Sequence, residues 1–173
     1  MGKTCLNKLT GNITTTCVVP QHGVTDLYLM YPEDVTFGLA TNGENINTAS
    51  FGSGAKSYRV EGYKQNIQIT SSVRALDAST KLDISVSFKV RHSDTSAWRR
   101  LLMGRFYVMA VYPDGSAYMI GYTSPLECSA SEFDANANSK LFTVTLNAPE
   151  GSAGNYFVGV ETAAKNQIIA KSV

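Results

Sequence analysis

Two histidines and three cysteines, with a scatter of carboxylates, are the residues of this 173-residue chain suited to covalent or metal chemistry. A nucleophilic Ser or Cys needs a positioned base. The histidines are His22, beside Gly23 in a loop sequence, and His92, at the end of an alternating run. Neither sits in a nucleophile elbow, so surface or capping roles are expected for both. Asp94 precedes a helical pattern, where an Asp most often serves as N-cap. Cys5, Cys17 and Cys128 are odd in number and lack C-x-x-C spacing, which argues against a disulfide framework and against a zinc site. Free thiols are expected, with a Cys5–Cys17 bridge as the alternative.

Asp134-Ala135-Asn136-Ala137-Asn138 alternates oxygen ligands as a calcium loop does, yet it lacks the glycine and the distal glutamate of that loop. Gly2-Lys3-Thr4 and Gly52-Ser53-Gly54 are fragments of phosphate-loop spelling without the strand and first glycine that would give them meaning. No catalytic residue, metal or cofactor is therefore expected, and the chain is read as a non-enzyme. The best contact candidate is a basic cluster, Arg91, Arg99, Arg100 and Arg105, with Trp98 and Tyr107 close in sequence. A solvated helix face with snorkelling arginine stems is the plainer reading of it.

These residues must be positioned by strands. Leu82, Ile84, Val86, Phe88 and Val90 alternate with Asp83, Ser85, Ser87, Lys89 and Arg91, so one face is buried and one is wet. His92 to Ser96 offers capping oxygens, and Trp98, Leu101 and Leu102 follow at helical spacing until Gly104. Phe106 to Tyr112 is extended again, Pro113-Asp114-Gly115 turns the chain, and Ala117 to Tyr122 returns. Further strands are expected at Asp26–Tyr31 before Pro32, from Ser57 to Tyr63, from Asn66 to Arg74, from Leu141 to Asn147 and from Tyr156 to Glu161. Val35 to Asn47 shows no clear period and Phe51 to Ala55 reads as a flexible connection, while the polar stretch from Cys128 to Ser139 is expected to end one hairpin and start another, with a loop or turn at 134–138.

Composition agrees with strands. Charged residues are 17% of the chain and hydrophobic ones 43%, and the formal net charge is +1, so a partner must be recognised by shape rather than by a strong field. No apolar run of about 18 residues occurs, and Met1 to Lys8 lacks the apolar stretch of a signal peptide, so no membrane partner and assembly in a cytoplasm are expected. Leu6 stands where a myristoylation signal needs Ser or Thr. The fold expected is a single mainly β domain over 1–173, a β-sandwich or rolled barrel of about eight strands with one short flanking α-helix at about 94–103. Residues 1–20 are expected as an N-terminal arm and 163–173 as an extended C-terminal tail. The nine tyrosines fall in or beside strands, where half-exposed rings suit subunit interfaces.

Several motifs, taken in order, resemble the tail-tube-like virion proteins of tailed bacteriophages, in particular the crAss-like phages of Bacteroidetes. They are Gly23 to Val35, Tyr58-Arg59-Val60-Glu61, Ser87 to Arg91 leading into the helix, Phe106 to Gly115, and Ala117 to Tyr122 with its Ile-Gly ending. The resemblance spans about residues 17–160. It implies a β-sandwich or barrel with one helix whose copies join edge to edge into a ring, in a tail or at a head–tail connector, as a conduit or collar for DNA. It implies as partners a homo-oligomeric ring, neighbouring tail, portal or connector proteins, and genomic DNA passing through the lumen of the virion. The loop at 37–55 lacks the long apolar hairpin that stacked tube subunits exchange, so a single ring is an equal expectation. Assembly contacts are expected at Tyr28, Tyr31, Phe51, Arg91, Trp98, Arg99, Arg100 and Arg105. The alternative from another class is a carbohydrate- or surface-binding β-sandwich, a fibre or head-decoration domain, with exposed Tyr and Trp as stacking platform.

Overall fold

The computed structural model describes residues 23–61, 67–76, 79–91, 95–133, 141–150, 152 and 156–173. The candidate groups at Cys5, Cys17, His22, His92, Asp94 and 134–138, and the 1–20 arm, lie outside the described residues. In chain order the strands are β1 (Asp26–Met30), β2 (Val35–Leu39), β3 (Asn45–Phe51), β4 (Tyr58–Glu61), β5 (Gln68–Leu76) and β6 (Ser79–Arg91). Helix α1 (Thr95–Met103) follows, then β7 (Arg105–Val111), β8 (Ala117–Ile120), β9 (Leu126–Phe133), β10 (Leu141–Asn147), β11 (Val158–Val160) and helix α2 (Thr162–Ala170).

The chain is mainly β, and its strands form one connected, sandwich-like system of two sheets. The first runs β4-β1-β7-β8-β11-β3-β2 and the second β9-β10-β6-β5. They join at the start of β7, where Phe106 pairs with Leu126 of β9 before Val108 to Val111 pair with β8. Strand pairing is antiparallel except between β11 and β3.

Two-residue periodicity explains the layers. Leu27 and Leu29 of β1, Phe106, Val108 and Ala110 of β7, Ile84, Val86 and Phe88 of β6, and Val144 and Leu146 of β10 share one core between the sheets. The intervening residues Tyr28, Met30 and Met109, with Met119 and Val160, face the other way onto Ala164 and Ile168 of α2. That double coverage is why all five residues of β1 are buried. Each fully buried aliphatic or Met side chain in such a core stabilises the fold by roughly 1.5–3 kcal/mol. The expected alternation holds from Asp83 to Lys89, since Ile84, Val86 and Phe88 are inside while Asp83, Ser85 and Ser87 are only partly covered and Lys89 is exposed. The Pro113-Asp114-Gly115 turn also forms. Asp114 Oδ1 accepts from the Ser116 backbone N–H at 2.9 Å and from its hydroxyl at 2.6 Å, which holds the carboxyl below its ordinary range.

Three expectations are corrected. Residues 163–173 do not form an extended tail, because α2 lays Ala164 and Ile168, four residues apart, into the second core. Its end is pinned by the Ser57 hydroxyl donating to the Ile168 carbonyl at 2.7 Å and by the Ser57 N–H donating to the Lys171 carbonyl at 3.1 Å. Residues 35–51 are not loop, because β2 and β3 pair from Val35–Phe51 inward and bury Val35, Ile46 and Ala49, while the expected connection at 52–55 lies outside any strand. A register shift between Gly38 and Leu39 breaks the alternation that would have shown it. The polar segment after Pro125 is strand β9, held by β10 rather than by its own burial. Eleven strands and two helices are therefore formed among the described residues, against about eight and one expected.

Candidate functional site

Helix α1 closes one end of the sandwich. Its Trp98 ring stacks on Phe142 with centroids 4.6 Å apart, and the indole N–H donates to Ser131 Oγ at 2.8 Å. Phe133 tilts against the same Phe142 ring at 4.7 Å. Trp98 and Leu101 both pack on the inter-sheet core. Gly104 ends the helix where a side chain would collide with the Phe106 ring. The opposite face of α1 presents Arg99 and Arg100 to solvent, with Met103, which is 90% exposed, at its end.

The expected contact residues divide. Tyr31 packs on the first sheet, with its ring 5.1 Å from Phe106 of β7 and 6.0 Å from Tyr58 of β4. Burial pushes its hydroxyl above the ordinary value, followed by the influence of Tyr58, while the Arg100 charge draws it partly back. Arg105 points out near the same end and meets Glu127 at 3.5 Å, an exposed pair of small energetic weight. Arg91 closes β6, and its side chain lies outside the described residues. Phe51 is on the other side of the first sheet, half-buried against the α2 core. Tyr28 is corrected as a surface contact: only 5% of it is exposed, and the double coverage of β1 places it inside. Its hydroxyl is raised chiefly by burial and then by Asp26, whose carboxylate takes a 2.9 Å hydrogen bond from Arg59 Nε.

A second surface was missed in the sequence. The wet side of the second sheet is a comb of small polar groups, in which Ser85 lies between Thr70 and Asn147, and Ser87 between Gln68 and Thr145. Together with the segment after β10 it forms a groove of about 740 Å3. Glu127, Glu150 and Asp83 line it, with Lys81 held to Asp83 at 3.3 Å. Asn147 Oδ1 and Ser152 Oγ are buried in its wall and have no hydrogen-bond partner among the described residues. The Asp83/Ser85/Ser87 alternation was a visible signal for this face. The meeting with Glu127 and Glu150 depends on strand order, which no local pattern encodes.

The groove's far rim is β5, whose Thr70 and Ser72 line it. β5 is an edge: β6 pairs along all nine of its residues, and no described strand pairs with its other side. β10 pairs with β6 only from Ser85 to Arg91, so nearer the turn β5 is the strand paired with β6 among the described residues, while Leu82 and Ile84 still pack on the inter-sheet core. Val73 on this edge is 69% exposed.

The comparisons add no relative. No family model matches the chain, and no curated protein and no solved structure matches it. Among the described residues no three His, Cys, Asp or Glu side chains converge as a metal site, and no helix is long and apolar enough to cross a membrane. The Cys128 thiol is half-buried, and burial pushes it above its ordinary value.

Proposed function

We propose that the chain is a structural subunit that joins copies of itself edge to edge into a ring, and that this ring belongs to a tailed-phage virion, in the tail or at the head–tail connector. The observation that carries this reading is the outer edge of β5, with which no described strand pairs. A nine-residue edge with an exposed Val73 is a ready template for another strand, and natural proteins leave such edges bare where a partner covers them. An edge of one copy meeting a different surface of the next is a heterologous contact, which closes into a ring when the rotation permits.

Two further features are in keeping with a conduit or collar for DNA. The net charge of +1 gives no strong hold on a polyanion, and the Ser/Thr comb of the second sheet suits a wetted wall. Both a tail ring and a single connector ring stand within the proposal. Portal or connector proteins would then be its neighbours, and the role requires no catalysis and no cofactor.

The surface-binding alternative has weaker support. Trp98 has one ring face taken by Phe142, and Tyr118 and Phe157, both partly exposed, meet edge to face at 84° instead of presenting one flat platform. Negative-stain imaging of the purified chain separates the readings. Closed rings of uniform diameter support the proposal. A monomer at every concentration, with specific retention on a glycan array, supports the alternative.

A further inference from the structure

The two sheets share one strand path, β2-β3-β11-β8-β7-β9-β10-β6-β5, with β2 and β5 as its ends. Each end strand is paired along one side, β2 with β3 and β5 with β6, and no described strand pairs with the other side of either. The third strand with one described partner, β4, is protected. Ser57, just before it, donates its N–H to the Lys171 carbonyl and accepts on its own carbonyl from the Val173 N–H, and the strand that follows carries the charged Arg59 and Glu61. Charge and a covering segment are means by which edges are kept from pairing. β2 and β5 lack both among the described residues. Val35–Leu39 holds no charged residue, and its register shift falls after Gly38, which leaves Val35 to Gly38 regularly paired. Gln68 to Val73 holds no charged residue either. Both strands present an exposed apolar side chain, Leu39 at 43% and Val73 at 69%.

We propose that β2 of one copy is the strand that covers the outer side of β5 in the next, so that the strand path of each subunit runs on into that of its neighbour around the ring. This rests on the ring reading and names the surface that meets β5. One repeated contact of this kind covers both ends of the path in every copy, whereas β5 set against β5 would make a two-fold dimer and leave β2 bare. Main-chain hydrogen bonds supply the affinity of such strand addition, and the alternate side chains supply its specificity. Because the two strands differ, the contact is head to tail and the ring has a direction.

Lysine variants test it, with assembly followed by native mass spectrometry and sedimentation across a concentration series and fold by circular dichroism. Leu39→Lys and Val73→Lys should each raise the concentration for half-assembly about tenfold or more. At a concentration where each is monomeric alone, an equimolar mixture should form a dimer with one chain of each kind and no rings, because the unaltered β5 of one meets the unaltered β2 of the other. Thr36→Lys, exposed on the same strand, replaces Leu39→Lys if that variant melts early, and should behave alike. Rings from these β2 variants at the wild-type concentration would overturn this contact while leaving the ring reading standing. A mixture that stays monomeric would overturn it too. Oligomers indifferent to Val73→Lys, or a wild type that stays monomeric or stops at a dimer, would remove this contact and the ring reading together.

Discussion

The indole of Trp98 lies on the ring of Phe142, with planes inclined by 20°, and anchors itself through its N–H to Ser131. The residue that most resembles an exposed contact in the sequence is thus the strut that holds α1 on the sandwich. Trp98→Ala should lower stability by about 2–3 kcal/mol, less than for a fully buried Trp because the ring is half-buried. Thermal or urea unfolding measures this. A variant as stable as the wild type would mean that α1 is held otherwise.

Helix α2 buries a single apolar stripe, and hydrogen bonds from Ser57 hold its end. Ile168 is fully buried and belongs to the same core as Met30 and Met109. Ile168→Ala should cost about 2–5 kcal/mol, and deleting the chain from 162 onward should expose that face of the first sheet and induce binding of an apolar dye. An extended, undocked tail would give neither result.

The junction of the two sheets depends on Gly121, which adopts φ +85°. A Cβ there would stand 3.2 Å from the Phe106 carbonyl oxygen and 3.2 Å from Leu126 Cγ, the two residues whose pairing joins β7 to β9. Gly121→Ala should therefore cost about 2–3 kcal/mol, from the left-handed backbone and from displacement of a paired strand. Gly43, also at positive φ but with open space around it, should lose less on the same substitution, and the difference in denaturant midpoint reads the effect of crowding.

Four tyrosines, Tyr28, Tyr31, Tyr107 and Tyr112, have hydroxyls raised above the ordinary value, in each case chiefly by burial. The folded state then holds these protons longer than the unfolded chain does. Their contribution is complete below the unfolded tyrosine value, about 10, and is lost as pH rises through the higher folded values. Alkaline titration at the tyrosinate absorbance should show an early class and a late class, with unfolding coupled to the late one. A single class titrating together near 10 would contradict the burial of these rings.

The fold class was legible because the strong strands are locally encoded. The alternation at 82–90, the turn at Pro113 to Gly115 and the spacing of Trp98, Leu101 and Leu102 each specify their element. What escaped depends on distant partners. β9 is polar along most of its length and is a strand because β10 pairs with it. α2 shows only Ala164 and Ile168 as its apolar stripe, and these become a core only where β3 and β8 supply the opposite wall. The candidate contacts were half legible for the same reason. Arg99 and Arg100 are exposed as a polar helix face should be, whereas the burial of Tyr28 follows from α2, and the polar groove follows from a strand order that no segment reveals.

The central claim is that the outer edge of β5 is covered by a second copy. Its most direct test is the mass distribution of the purified wild-type chain beside Val73→Lys, measured across a concentration series. Val73 is 69% exposed, so the lysine should leave the fold and its melting unchanged while placing a charge on the edge. Discrete closed oligomers from the wild type and a shift toward monomer in Val73→Lys are the result expected. A monomeric wild type, or oligomers indifferent to the lysine, would contradict the claim.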